Sequence, residues 1–206
     1  MSSYSEGQVH QLADSLELRG EFTPEHITKL GQYPRLGDIR LVLDGQAEIV
    51  VIKKEEPSLN TIIRVDRTVR PAYPDWVEKV MHLELECTGP AEYDLATAVS
   101  LWLHDGQKGG STTKGKVIYD HLKKHSMLAS CLSLQDALEI QKKGVAVFQK
   151  VFGNKVVYFW KSAVRRRGDR YLFVPCLYVD GVRVVLDWSW LEDVWNGRGP
   201  AVRFDK

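Results

Sequence analysis

Arg165, Arg166, Arg167 and Arg170 crowd one short stretch near the C-terminus, with Trp160 before it and Trp188 and Trp190 after it. Lys155, Lys161 and Arg183 lie on the flanking segments, and Tyr158 and Tyr171 are interleaved with them. Guanidinium groups beside aromatic rings suit single-stranded nucleic acid, because cations track phosphates while rings stack on bases. An acidic protein surface would satisfy the same cations. Trp188 and Trp190 are two apart, so in a strand they point to the same side. If water reaches that side it is a stacking platform, and if helices cover it the rings are core.

Three other constellations bear on chemistry. Leu103-His104-Asp105-Gly106 is similar to the adjacent His-Asp pair of metal-dependent HD phosphohydrolases, for which His82 upstream and Asp120 or Asp136 downstream would have to converge. His104-Asp105 before Gly106 also reads as an ordinary helix stop. Gly110-Ser111-Thr112-Thr113-Lys114-Gly115-Lys116 has the two glycines and the lysine of a P-loop, but Val117 stands where the magnesium-binding hydroxyl belongs. His121 and His125 share a helix face at the spacing of paired metal ligands, yet Lys123 and Lys124 between them oppose a cation. The default for this pair is an exposed basic helix face. No metal and no cofactor is therefore expected.

The elements that must position these residues follow from caps, breakers and periodicity. Ser5 with Gln8 forms a capping box before Val9, Leu12, Ala13 and Leu16, and Thr23-Pro24-Glu25 starts a second helix that ends at Gly31. A third helix is expected over 36–43. Residues 47–53 and 61–65 read as strands, the first equally able to extend a helix, 75–82 as a short helix and 91–103 as a longer one. Further helices are expected over 117–125 and 134–143, the latter capped by Ser133 with Asp136. The apolar runs 156–160, 171–174 and 182–188, punctuated by Arg167-Gly168-Asp169 and Asp180-Gly181, read as an antiparallel meander. The expected fold class is α+β, with a small N-terminal helical bundle over 1–46. An α+β domain over 47–206 follows it, with a helical middle and a C-terminal antiparallel three-stranded meander near 156–190.

With 206 residues, 44% hydrophobic and 27% charged, the chain is long enough for a real core. Its net charge of +1 is too small for nucleic-acid binding by bulk charge, but the distribution is uneven. Residues 1–50 hold four Lys/Arg against eight Asp/Glu, whereas residues 150–206 hold eleven against six. An acidic N-terminal bundle would repel duplex DNA, which argues against a helix-turn-helix there. Three scattered cysteines, Cys87, Cys131 and Cys176, fit a reducing compartment and make neither a disulfide framework nor a zinc motif. With no signal peptide and no apolar run near the 20 or so residues that span a bilayer, a cytoplasmic location and no membrane partner are expected.

Gln8–Leu16, Arg70–Trp76, Cys87–Leu95, Leu103–Lys108 and the Tyr158–Trp160 to Tyr178 region together resemble an uncharacterised bacterial protein family. The resemblance spans nearly the whole chain; Leu83 departs from it, standing where proline is expected. No activity, cofactor or catalytic residue comes with that resemblance. The expectation is thus a non-enzymatic binding or interaction protein using Arg165, Arg166, Arg167, Arg170, Trp160, Trp188 and Trp190. A metal-dependent phosphohydrolase using His104-Asp105 with His82 and Asp120 is the alternative.

Overall fold

The computed structural model describes residues 4–50 and 59–205, and the chain divides into two compact units, 1–56 and 57–206. In the first unit, α1 spans Glu6–Leu18, α2 spans Pro24–Gly31 and α3 spans Leu36–Leu43. Ser5 and Gln8 close the capping box expected of them, and Thr23 caps α2 with His26 as its reciprocal partner. The expected strand over 47–53 carries no regular structure at 47–50, and its remainder lies outside the described residues.

The second unit is built on strands. In chain order they are β1 (Ile62–Arg64), β2 (Val77–Val80), β3 (Glu92–Asp94), β4 (Val99–Trp102) and β5 (Thr113–Lys114). Three helices follow, α4 (Gly115–Lys124), α5 (Leu134–Lys142) and α6 (Gly144–Phe152). Then come β6 (Val157–Tyr158), β7 (Val164–Arg166), β8 (Leu172–Asp180), β9 (Arg183–Trp190), β10 (Val194–Trp195) and β11 (Ala201–Phe204). Strand β8 organises the main sheet: β7 and β6 pair with successive parts of one edge, and β9 pairs with the other from Phe173 to Asp180. Beyond β7 lies β2, and beyond β6 lie β11 and β4. Only the β11–β6 pairing is parallel, so the sheet is mixed and seven-stranded.

This corrects the expected three-stranded meander, although the α+β class stands. The tight β8–β9 hairpin at Asp180-Gly181 is present, with Gly181 at φ +58 where a Cβ would be strained. Of the extra strands, β2 and β4 come from segments expected to be helical, whereas β7 and β11 come from segments given no regular element. Residues 77–80 pair with 164–166, and 91–103 breaks into β3 and β4 at a turn where Ala98 N–H reaches Asp94 O at 2.8 Å and Ala96 N–H reaches the Asp94 carboxylate at 3.0 Å. Strands of three or four residues show too few periods to be told from a helix turn. Leu95 and Val99 are four apart and mimic a helical stripe across that turn.

Alternation along the central strands feeds two cores. Val157, Leu177 and Val202 pack with Ile140, Phe148 and Phe152 of α5 and α6, whereas Tyr158, Cys176 and Ala201 pack with Ile118 and Leu122 of α4. Both faces of the sheet are therefore covered, which explains the unbroken apolar run around 156–160. The α4 side is tight: a Cβ at Gly115 would lie 2.7–3.0 Å from the Trp195 ring. We expect Gly115→Ala to destabilise the protein by about 1–3 kcal/mol through overpacking, read from the urea midpoint of tryptophan fluorescence.

Candidate functional site

The register of the hairpin places Phe173, Pro175 and Leu177 opposite Trp190, Trp188 and Leu186, all on the sheet face that carries α5 and α6. The helices cover the Leu177–Leu186 end. At the other end the face is aromatic and half-exposed. Trp76 meets Phe173 and Trp188 edge to face, with ring centres 5.5 and 5.3 Å apart, and Tyr73 lies 6.1 Å from Trp188. Tyr171, 46% exposed, meets Trp190 at 4.9 Å. Arg166 lies over the Phe173 and Tyr171 rings at 5.0 and 5.7 Å. Trp188 and Trp190 thus belong to one surface with Phe173, and Trp76 and Tyr73 join it unforeseen, because 75–82 was expected to be a helix.

Trp160 belongs elsewhere. It opens a 3-10 turn instead of extending β6, which turns its ring into the α4-side core among Tyr119, Tyr158 and Trp195, 1% exposed. The arginines also divide. Arg165 makes a two-pronged bond to Glu78 at 3.0 and 3.1 Å, because β2 pairs beside β7. Arg166 is bound by Asp169 across the turn, and that contact holds the Asp169 carboxyl below its ordinary value. Arg167 and Arg170 are exposed and enter no ion pair among the described residues. Arg167 lines a shallow groove with Tyr73 and Glu78, and Arg170 lines a small cleft of about 90 Å³ with Lys116, Tyr171 and Trp190. The Trp190 indole N–H is buried and has no acceptor.

The other motifs are occupied by structural work. His82 is buried with Nε2 2.7 Å from the Tyr119 hydroxyl, Asp120 is paired with Lys116 and Asp105 with Lys108. The Nδ1 of His104 accepts the Gly106 N–H at 3.0 Å, which leaves the proton on Nε2 of the neutral ring, where a metal would need a lone pair. His104, His121 and His125 do come together, with ring centres 4.9 and 4.4 Å apart, and burial followed by the neighbouring imidazoles lowers the His121 pKa. Even so, among the described residues no group of three or more His, Cys, Asp or Glu is placed to hold a metal ion. The loop at 110–116 is no phosphate cradle either: Gly115 and Lys116 donate their N–H groups to the carbonyls of Asp193 and Leu191 at 3.0 and 2.6 Å. The amides that would wrap a phosphate are taken by protein. Burial pushes the Cys131 and Cys176 thiols up to about 12 and about 11, so neither is a ready nucleophile.

A buried polar cluster went unread in the sequence. Asp136 accepts Arg67 at 2.6 and 3.1 Å, the Tyr93 hydroxyl at 2.9 Å, and the Ser133 N–H and hydroxyl at 2.8 and 2.9 Å. Lys161, fully buried, donates to Thr88 O at 2.9 Å, and desolvation lowers its pKa. Glu86 is 1% exposed, enclosed beside the Tyr73 and Ser162 hydroxyls without a well-formed hydrogen bond to either oxygen, and burial raises its pKa. The one local signal was a lysine inside the apolar run Phe159-Trp160-Lys161-Ser162-Ala163. Asp136 had been visible as a helix cap and as a possible downstream partner of His104-Asp105, not as the centre of a buried cluster. Sealed from solvent, the cluster fastens chain segments together.

No protein-family model, no curated protein and no solved structure matches this chain. No helix among the described residues is long and apolar enough to cross a membrane.

Two outcomes follow from the buried cluster. Asp136→Ala leaves the Arg67 guanidinium without its partner and should destabilise the fold by about 3–5 kcal/mol, measured by urea unfolding. Glu86 holds its proton in the folded chain at pH values where the unfolded chain, near 4.5, has released it. Its contribution is complete below that value and is lost as pH rises towards the folded pKa. The stability of Glu86→Gln relative to wild type should therefore climb with pH from 4.5 upwards. A difference that stays flat across pH would mean that Glu86 is not shifted.

Proposed function

We propose that the second unit is a non-enzymatic binding module whose ligand-contacting surface is the aromatic end of the β7–β8–β9 face, with Arg167 and Arg170 at its margin. The observation that carries this reading is the set of half-exposed rings on one face: Trp76, Phe173, Tyr171, Trp188 and Trp190. Exposed aromatic patches rimmed by polar groups mark interaction sites. Rings offered flat or edgewise beside free guanidinium groups favour a ligand with both planar bases and phosphates. Single-stranded nucleic acid fits that description better than an acidic protein surface, which would leave the rings idle.

Because Glu78 and Asp169 already neutralise Arg165 and Arg166, phosphate contacts fall to Arg167 and Arg170. Two contacts on a single strand give a slope of log K against log salt of about −1.4, half of what four free arginines would give. The test is fluorescence anisotropy with a labelled oligothymidine at about 50 mM salt, run against Tyr171→Ala and Arg170→Ser. Tyr171→Ala should weaken binding by about 1–3 kcal/mol, and Arg170→Ser should flatten the salt slope by about 0.7. Absence of binding, or competition by polyglutamate as strong as by unlabelled oligothymidine, would overturn the proposal.

A further inference from the structure

The His104 side chain holds its loop through a contact that requires a neutral ring. Residues 103–112 join β4 to β5, and Asp105–Gln107 within them form a single 3-10 turn that His104 caps. The ring Nδ1 accepts the Gly106 N–H at 3.0 Å, while the His104 backbone N–H donates to Gln107 Oε1 at 3.1 Å. Gln107, 2% exposed, donates in turn through Nε2 to Asn196 O at 3.0 Å and Gly199 O at 2.9 Å. The cap therefore orients the one side chain that fastens the β4–β5 loop to the β10–β11 loop.

We propose that His104 is an acid-operated latch: while its Nδ1 carries a lone pair the 103–112 loop is fastened, and a proton on that nitrogen releases it. A protonated imidazole is a donor at both nitrogens, so Nδ1 would face the Gly106 N–H donor to donor and the cap would be lost. Like charges would oppose the proton as well. His121 of α4 lies 4.9 Å from His104, ring centre to ring centre, and His125 lies 4.4 Å from His121. Lys124 adds a fixed positive charge on the same helix. Asp105 is the carboxylate that bears on these rings, and Lys108 already holds it at 2.8 Å. Trp102 of β4, stacked on His121 at 5.5 Å, and Thr113 of β5 beside Gly106 bring no charge.

Burial, and after it His125 and His104, keeps His121 below its ordinary value of 6.5, so the folded cluster resists taking up protons. The opened loop does not resist. By linkage, the stability gained from neutral rings is complete above 6.5 and is lost as pH falls below it towards the folded pKa. That is the range in which histidine clusters serve as switches. The latch does not depend on what the aromatic face binds, so either reading can fail without the other.

Amide exchange of the full chain, followed by NMR between about pH 7.5 and about pH 5.5 with intrinsic rates divided out, reads the latch. Protection of the Gly106 and Gln107 amides should fall by about five- to tenfold, the range open to a histidine that titrates near 6.5 once the loop is released. Amides of β8 bonded to β9 should keep theirs. His104→Asn offers a carboxamide oxygen to the same N–H without titrating, and should hold the Gly106 and Gln107 protection level across the range. Wild-type protection that does not change with pH, or a fall just as large in His104→Asn, would overturn the proposal. So would an equal fall at the β8 amides, because acid would then be loosening the whole unit.

Discussion

The Asp136 carboxylate is the constraint on which the second unit depends. It caps α5 through Ser133, holds Arg67 just after β1, and takes the hydroxyl of Tyr93 in β3. Arg67 in turn donates to Pro90 O at 2.9 Å, so the β1–β3 arm and the 86–90 loop are tied to the start of a helix that lies on the main sheet. A buried ion pair gains little over an apolar substitute, but one with every lone pair satisfied admits few alternative arrangements. The adjoining Lys161 and Glu86 are less well satisfied, and their shifted protonation follows from being enclosed by the same segments.

That fastening decides where the aromatic rings end up. With α5 and α6 fixed over the Leu177–Leu186 end of the hairpin, the Phe173–Trp190 end is left to whatever β2 and its preceding connector bring, which is Tyr73 and Trp76. The same strand brings Glu78 to Arg165. One placement therefore both enlarges the aromatic surface and removes part of its positive charge. If that surface binds as proposed, stacking would carry recognition, with two guanidinium groups to orient the ligand rather than four to attract it. In the first unit no residue of the three short helices is buried, and apolar side chains such as Leu12 and Ile27 stay exposed.

Features written in a few consecutive residues were legible. The capping boxes at Ser5 and Ser133, the proline-started helix at Thr23 and the turn at Asp180-Gly181 all rest on contacts between near neighbours in the chain. Strands β2, β3 and β4 were not legible, because each is three or four residues long and exists only through a partner far away, residues 164–166, 62–64 and 201–204 respectively. Of the site residues, Trp188 and Trp190 could be put on one face from spacing alone. Trp160 could not be separated from them, since an apolar run does not say where a strand gives way to a 3-10 turn.

By itself, then, the amino-acid order determined the helical start of the chain, the α+β class, the long hairpin and the concentration of arginine and aromatic residues around it, because each follows from local backbone preference and side-chain period. Only the tertiary structure decided which arginines meet carboxylates, which tryptophans reach water and how many strands the sheet holds. Those outcomes depend on charges and backbone groups that are distant in sequence and meet only when the chain closes on itself.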